Sequence, residues 1–155
     1  MMRIMKLVHL FGLTLFLGSI ITFVSISILT KDASVTDIAF GRQIISNGTT
    51  ILTLPGIWLL AISGIWNGLK RYGLRNRYVQ IKLLLIFIII FNAYLFVVPA
   101  ATEATKLAIQ SISHGQLYSE FANAYLKESI MGGINVILGV VASIIGVWET
   151  TGKMS

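Results

Sequence analysis

The segment that decides the fold is the N-terminal run IMKLVHLFGLTLFLGSIITFVSISIL, residues 4–29, in which Lys6 and His9 are the titratable side chains. The hydrocarbon core of a bilayer, about 30 Å thick, takes roughly 20 apolar residues in a helix. The run exceeds that length, and it is also too long to be the apolar part of a cleaved signal peptide. It therefore predicts a retained membrane-spanning helix.

Three further segments have membrane-spanning length or nearly so: residues 51–69, residues 79–98, which end at Pro99, and residues 130–148. The 155-residue chain is 55% hydrophobic and 12% charged, with a mean hydropathy of +0.84, whereas soluble domains carry about 25% charged residues. The sequence thus predicts one all-α domain over residues 1–155, an integral membrane four-helix bundle in a lipid bilayer. Between the last two spans, residues 102–128 form a predicted amphipathic outer segment, which Gly115 interrupts or bends.

The charge balance and the composition exclude several classes of function. The chain has no cysteine, so disulfides, thiolate metal sites and thiol redox chemistry are excluded. The net charge of +6 comes from basic residues interleaved with apolar runs, a pattern that favours lipid headgroups and a topology signal over nucleic acid. Motifs of soluble hydrolases and nucleotide-binding loops are absent.

The distribution of basic residues predicts the orientation. Lys and Arg concentrate on the cytoplasmic side of membrane proteins, and four spans place both termini and the second loop on one side. That side carries seven basic residues: Arg3, Lys6, Lys70, Arg71, Arg75, Arg77 and Lys153. The other side carries four: Lys31, Arg42, Lys106 and Lys127. We therefore expect cytoplasmic termini and a multi-pass protein of the inner (cytoplasmic) membrane.

Small residues recur at helical spacing in the predicted spans. Gly56, Gly64 and Gly68 follow one another in the second span, Gly12 lies in the first, and the fourth carries Gly132, Asn135, Gly139, Ser143 and Gly146. One interpretation is close helix packing, which in lipid depends on small residues. The other is that small residues leave room for a flat cofactor. The sequence leaves both open.

Three titratable residues, His9, Lys82 and Glu149, fall at similar predicted depth on three different helices. Ionisable groups inside a membrane are costly and point to function. Each has a structural alternative: His9 as a hydrogen-bonded side chain, Lys82 extending along its stem to the headgroups, and Glu149 as a solvated helix end. A neutral imidazole is also a common metal and haem ligand.

The remaining polar residues are simpler to interpret. Asn92 and Asn135 lie deep in the third and fourth spans, which predicts an interhelical hydrogen bond. His114 is the only other histidine, and the predicted topology puts it on the opposite side from His9. A single haem held by both histidines is therefore not expected.

Three motifs resemble the first three helices of the HemJ/CopD-like small integral membrane proteins. They are MKLVHLFGLTLFLGS at residues 5–19, TLPGIWLLAISGIWNGL at residues 53–69 and YVQIKLLLIFIIIF at residues 78–91. They occur in the right order within residues 5–91, a stretch of about half of the chain. HemJ proteins are protoporphyrinogen oxidases that bind haem b, and their functional first-helix histidine and third-helix lysine correspond to His9 and Lys82. CopD-type proteins are linked to copper handling, and a third branch consists of small membrane proteins of similar length.

The resemblance implies a haem-b-binding membrane protein with a redox or haem-related role. His9 would be an axial ligand of the haem iron. Lys82 would occupy the catalytic position. Both Lys82 and Glu149 would pair with the haem propionates or relay protons. The alternative is a non-catalytic accessory or assembly subunit, in which His9 is structural and the glycine-rich helices dock onto a larger membrane complex or another copy of the chain.

Overall fold

The computed structural model describes the backbone of residues 2–150 and the side chains of residues 3–148. Within this part the chain forms six α-helices, α1 to α6, linked by short turns and two π-helical turns. Their bounds are Met2–Leu29, Val35–Gly48, Leu54–Tyr72, Arg77–Asn92, Val98–Ser111 and Ser119–Thr150. The π-helical turns, Thr49–Thr53 and Ala93–Val97, join α2 to α3 and α4 to α5 without a break. The predicted all-α class is confirmed.

Four continuous helices of the described residues are long and apolar enough to cross a membrane: Arg3–Leu29, Val35–Tyr72, Arg77–His114 and Ser119–Trp148. This finding confirms four membrane-length helices and indicates a multi-pass membrane protein. The second and third are each 38 residues, or about 57 Å at 1.5 Å per residue, which exceeds the roughly 30 Å hydrocarbon core. These two helices therefore extend well beyond one face of a bilayer.

The helices continue beyond two predicted bounds: past Pro99, where the third span was predicted to end, and before residue 51, so that Pro55 lies well inside a continuous helix. Proline lacks an N–H and clashes with the preceding turn, so it usually ends a helix. Here each proline lies in the first turn of its α-helix, directly after a π-helical turn. A π-helical turn changes the hydrogen-bond register, so the helix passes the proline without ending. The predicted spans 51–69 and 79–98 consequently lie inside longer helices.

The two outer segments are helical and pack on each other. The segment before the second span forms α2, which has Ser34 as its N-cap and packs on α5. The segment 102–128 starts as the continuation of α5 and ends in a 3₁₀ turn, Ile112–His114. Gly115 adopts a left-handed φ of 70° there and interrupts the helical path as predicted, before α6 begins at Ser119.

The closest helix contact is between α1 and α3, where two glycines face each other. A Cβ on Gly56 would lie 2.9 Å from the backbone N of Phe16, and one on Gly12 would lie 3.0 Å from the backbone N of Leu60. Such an approach of backbones is the usual basis of helix association in lipid. The packing interpretation therefore holds for these two glycines.

The other helices pack in the order α3, α4, α6, and α5 also packs on α6. Asn92 of α4 donates through Nδ2 to Asn135 Oδ1 of α6 at 2.8 Å, which confirms the predicted interhelical hydrogen bond. Among the described residues, α1 and α6 have few contacts with each other. We call this poorly closed line between α1 and α6 the seam. The buried ring of Phe16 lies across it, 3.3 Å from where a Cβ on Gly139 would be.

We expect Gly56→Ala to lower the free energy of unfolding by about 1–3 kcal/mol, the usual cost of overpacking, because its new Cβ would meet backbone that cannot move away. The measurement is unfolding by SDS in mixed micelles, followed by circular dichroism.

Gly18→Ala is the matched control, because a Cβ there meets nothing within 4 Å and alanine favours the helix by up to about 1 kcal/mol. Equal effects of the two substitutions would contradict the proposed α1–α3 contact.

Candidate functional site

His9 and Lys82 lie together at the end of the bundle that contains the Tyr72–Arg77 turn. Both line two neighbouring cavities, of about 180 Å³ and about 110 Å³. The larger one is bounded by α1, α3, α4 and α6, and Gly64 and Gly146 also line it. The structure thus brings together two of the three titratable residues singled out from the sequence. Glu149 lies outside the residues whose side chains are described. We call the two cavities lined by His9 and Lys82 the His9 cavities.

Ser63 fixes the imidazole of His9. The Nδ1 atom of His9 lies 3.0 Å from Ser63 Oγ, and the Ser63 hydroxyl is itself fully buried and donates to the carbonyl of Leu59. A serine hydroxyl has one proton to donate. With that proton assigned to Leu59, we infer that Nδ1 of His9 is the donor to Ser63. In the neutral imidazole the lone pair is then on Nε2.

The backbone carbonyl of Leu60 also accepts a hydrogen bond from the His9 ring, and no side-chain hydrogen bond of the described residues involves Nε2. An imidazole whose Nδ1–H is held by an oxygen and whose Nε2 is free has the arrangement found in histidines that bind metals. Gly64 leaves the space beside the ring, since a Cβ there would lie 3.4 Å from Cε1 of His9. The site therefore presents one oriented nitrogen ligand next to an open volume.

Lys82 points into the bundle towards α6. Its Nζ lies 5.0 Å from the centre of the Tyr78 ring and 2.8 Å from the position of a Cβ on Gly146. A cation over an aromatic face is favourable, and Gly146 provides the space for the ammonium group. The side chain lies beside the larger His9 cavity.

The larger His9 cavity is positively charged. Lys6 and Arg71 line it together with His9 and Lys82, and its lining contains no carboxylate among the described side chains. Asn67 also lines it, and Oδ1 of Asn67 is buried without a hydrogen-bond partner in the described part of the chain. The basic side chains favour an anionic group, whereas Oδ1 of Asn67 can only accept a hydrogen bond from a donor.

A second polar centre, which sequence analysis did not single out, lies near the other end of the bundle. Arg42 of α2 is 4% exposed, and its Nη2 donates to Glu128 of α6 at 2.5 Å and to the carbonyl of Ala101 at 3.3 Å. The guanidinium also lies 5.8 Å from the Tyr125 ring centre. The ion pair ties α2, α5 and α6 together. In the sequence analysis, Arg42 served only as one of the basic residues that predict the membrane orientation.

The Arg42–Glu128 pair borders a third cavity, of about 340 Å³, which we call the Arg42 cavity. It lies along the seam and is lined mainly by apolar side chains, with Gly132 and Gly133 on α6. A Cβ on either glycine would meet nothing within 4 Å. These two glycines leave open volume, unlike Gly12 and Gly56, which pack. Phe16 lines both this cavity and the smaller His9 cavity.

The structure does not bring the two histidines together. His114 lies beyond the end of α5, edge-on to the ring of Tyr118, whereas His9 lies near the start of α1. Among the described residues, no group of three or more His, Cys, Asp or Glu side chains is placed to hold a metal ion.

Comparisons of the chain with family models, curated proteins and solved structures find no match. The HemJ/CopD-like resemblance therefore rests on the three sequence motifs alone. The site has to be interpreted from its own chemistry.

We expect Ser63→Ala to release the His9 tautomer, because it removes the oxygen that accepts from Nδ1. The measurement is ¹⁵N NMR of histidine-labelled protein carrying His114→Gln, at alkaline pH, so that only the neutral ring of His9 is observed. The parent protein should show a protonated Nδ1, and the variant should shift towards protonated Nε2.

Ser143→Ala is the control, because Ser143 also lines the smaller His9 cavity but donates to Gly139 of its own helix. An unchanged tautomer in Ser63→Ala would refute the role of Ser63.

Proposed function

We propose that this protein is a HemJ-like integral membrane protein that binds haem b through Nε2 of His9 and has a redox or haem-related role. The observation that carries the proposal is the His9–Ser63 pair, which leaves Nε2 as an oriented ligand beside a cavity lined by cations. Bound haem would supply one-electron chemistry at its iron.

The residue types that line the His9 cavities are ones that can hold the iron and the propionates of haem b. A neutral imidazole is a frequent haem ligand, and the propionates need positive partners, which Lys82, Arg71 and Lys6 offer at the same end of the bundle. In this arrangement His9 would bind the haem iron, and Lys82, Arg71 and Lys6 would neutralise the negative charge of the propionates. Glu149, near the end of α6, remains a proposed partner for proton transfer or propionate binding.

The volume sets a condition on binding. Ligand pockets are typically about 300–1,000 Å³, whereas the larger His9 cavity is about 180 Å³. A macrocycle therefore requires that the helices around the cavity move apart. Separating the helices costs the least free energy at the seam, because α1 and α6 have few contacts there. The packing of α1 on α3 is held by glycines and stays closed.

The proposed site lies at the cytoplasmic side of the inner membrane, with both termini on that side. The basic residues near the Tyr72–Arg77 turn and the N-terminus support this orientation. Cations at this end would meet the haem propionates near the headgroups.

We expect the detergent-purified protein, expressed with ample haem, to show b-type bands in a dithionite-reduced minus oxidised absorption spectrum. His9→Ala should lose these bands, and His114→Ala, the matched substitution of the only other histidine, should keep them. Lys82→Gln should weaken haem binding by roughly tenfold or more, the value of a charge-assisted hydrogen bond. Lys70→Gln should not, since Lys70 lies against Trp66 and outside the cavity lining.

A flat spectrum, or bands that persist in His9→Ala, would overturn the haem proposal. If colourless protein copurified with a partner in fixed proportion, the accessory-subunit alternative would take its place.

We expect single cysteines to report the orientation cleanly, because the chain has none of its own. In intact cells an impermeant maleimide should label Ser113→Cys, in the exposed turn after α5, and should label Leu74→Cys, 64% exposed in the turn after α3, only after lysis. The Leu74 substitution preserves the basic residues that set the topology. The reverse labelling pattern would place the His9 end outside the cytoplasm.

A further inference from the structure

The Arg42 cavity has a property that its role in packing does not require. Its lining includes Arg42, whose Nε is buried and has no hydrogen-bond partner among the described residues. Buried polar groups are nearly always paired, and an unpaired donor costs about 1–3 kcal/mol. An acceptor in the cavity would recover that free energy after a rotation of the Arg42 side chain that brings the buried Nε to the cavity surface.

We propose that the Arg42 cavity binds a membrane-soluble molecule that has an apolar body and a neutral carbonyl oxygen, which accepts a hydrogen bond from Arg42. Quinones and lipid esters both carry this chemistry. The inference goes beyond the proposed function and does not depend on haem, because Phe16 separates this cavity from His9.

The charge of the site favours a neutral acceptor over an anion. The positive charge of Arg42 is already balanced by Glu128 at 2.5 Å, and both side chains are largely buried. A carboxylate brought into the cavity would be repelled by Glu128 in a medium of low dielectric constant, where such repulsion is strong. A carbonyl oxygen carries no net charge for Glu128 to repel, and the Nε–H of Arg42 is the donor without a partner that it would accept from.

The shape and position of the cavity favour a ligand that arrives from the lipid. Its volume of about 340 Å³ lies within the range of small-molecule sites, and most of its lining is apolar. Gly132 and Gly133 provide the open volume. The cavity lies along the seam between α1 and α6, two helices whose outer faces carry exposed apolar side chains such as Ile21 and Ile137.

The test measures thermal unfolding of the purified protein in dodecyl maltoside, with increasing amounts of three probes: a decyl-substituted benzoquinone, methyl decanoate and decanoate. A ligand that binds the folded state raises the Tm in proportion to its affinity. We expect the benzoquinone or the methyl ester to raise the Tm and decanoate to do so least. The neutral probe that raises the Tm more shows whether the natural ligand is a quinone or a lipid ester.

Gly132→Leu should abolish the effect of the neutral probes, because its side chain fills open volume without meeting a neighbour at Cβ. Gly18→Leu is the control, since a Cβ there also meets nothing within 4 Å but Gly18 lies outside the cavity.

Arg42→Lys keeps the positive charge beside Glu128 and removes Nε, so the neutral probes should bind about tenfold more weakly. Glu128→Gln removes the negative charge, and decanoate should then bind.

The inference is wrong if decanoate stabilises the unmodified protein as well as its methyl ester does, because the site would then be an unselective acyl pocket. It is also wrong if Gly132→Leu and Gly18→Leu respond equally to the neutral probes. Both results can be obtained with haem-free protein, so they are independent of the spectrum that tests haem binding.

Discussion

The close contact of α1 with α3 is the constraint on which the rest of the structure depends. Lipid gives apolar helices no reason to associate with one another, so association requires small residues and buried hydrogen bonds. Gly12 and Gly56 meet this requirement so closely that neither position has room for a Cβ. At these glycines α1 is held against α3, whereas its contacts with α6 are few. The seam and the cavities along it follow from that unequal packing.

The polar groups divide the bundle interior into two regions of different chemistry. At one end, His9 and three basic side chains border cavities without a carboxylate in the described lining. At the other end, Arg42 and Glu128 form a neutral pair beside a larger, mostly apolar cavity. Phe16, nearly fully buried, stands between them. We propose an anionic ligand with a metal centre for the first region and a neutral ligand from the lipid for the second.

Much of the fold is visible in the sequence, because helices in lipid must satisfy their own backbone hydrogen bonds and so reveal themselves as long apolar runs. The Asn92–Asn135 bond and the break at Gly115 could also be predicted. The continuity of α2 with α3, and of α4 with α5 past Pro99, could not, since it depends on π-helical turns with no clear sequence signal. His9 and Lys82 could be matched by depth, but Ser63 looks like any small residue of a packed helix. Arg42 and Glu128 are 86 residues apart, and no periodicity connects them.

We propose that the seam opens for a ligand while the α1–α3 contact stays fixed. The most direct test is pulsed electron–electron resonance between spin labels on lipid-facing positions, using Leu7 with Ile144 across the seam and Leu7 with Ile62 across the glycine contact. Labelled protein is compared with and without gallium protoporphyrin, a diamagnetic analogue of haem. The account predicts a longer Leu7–Ile144 distance on binding and an unchanged Leu7–Ile62 distance. Binding that leaves the first distance unchanged, or that alters the second, would contradict it.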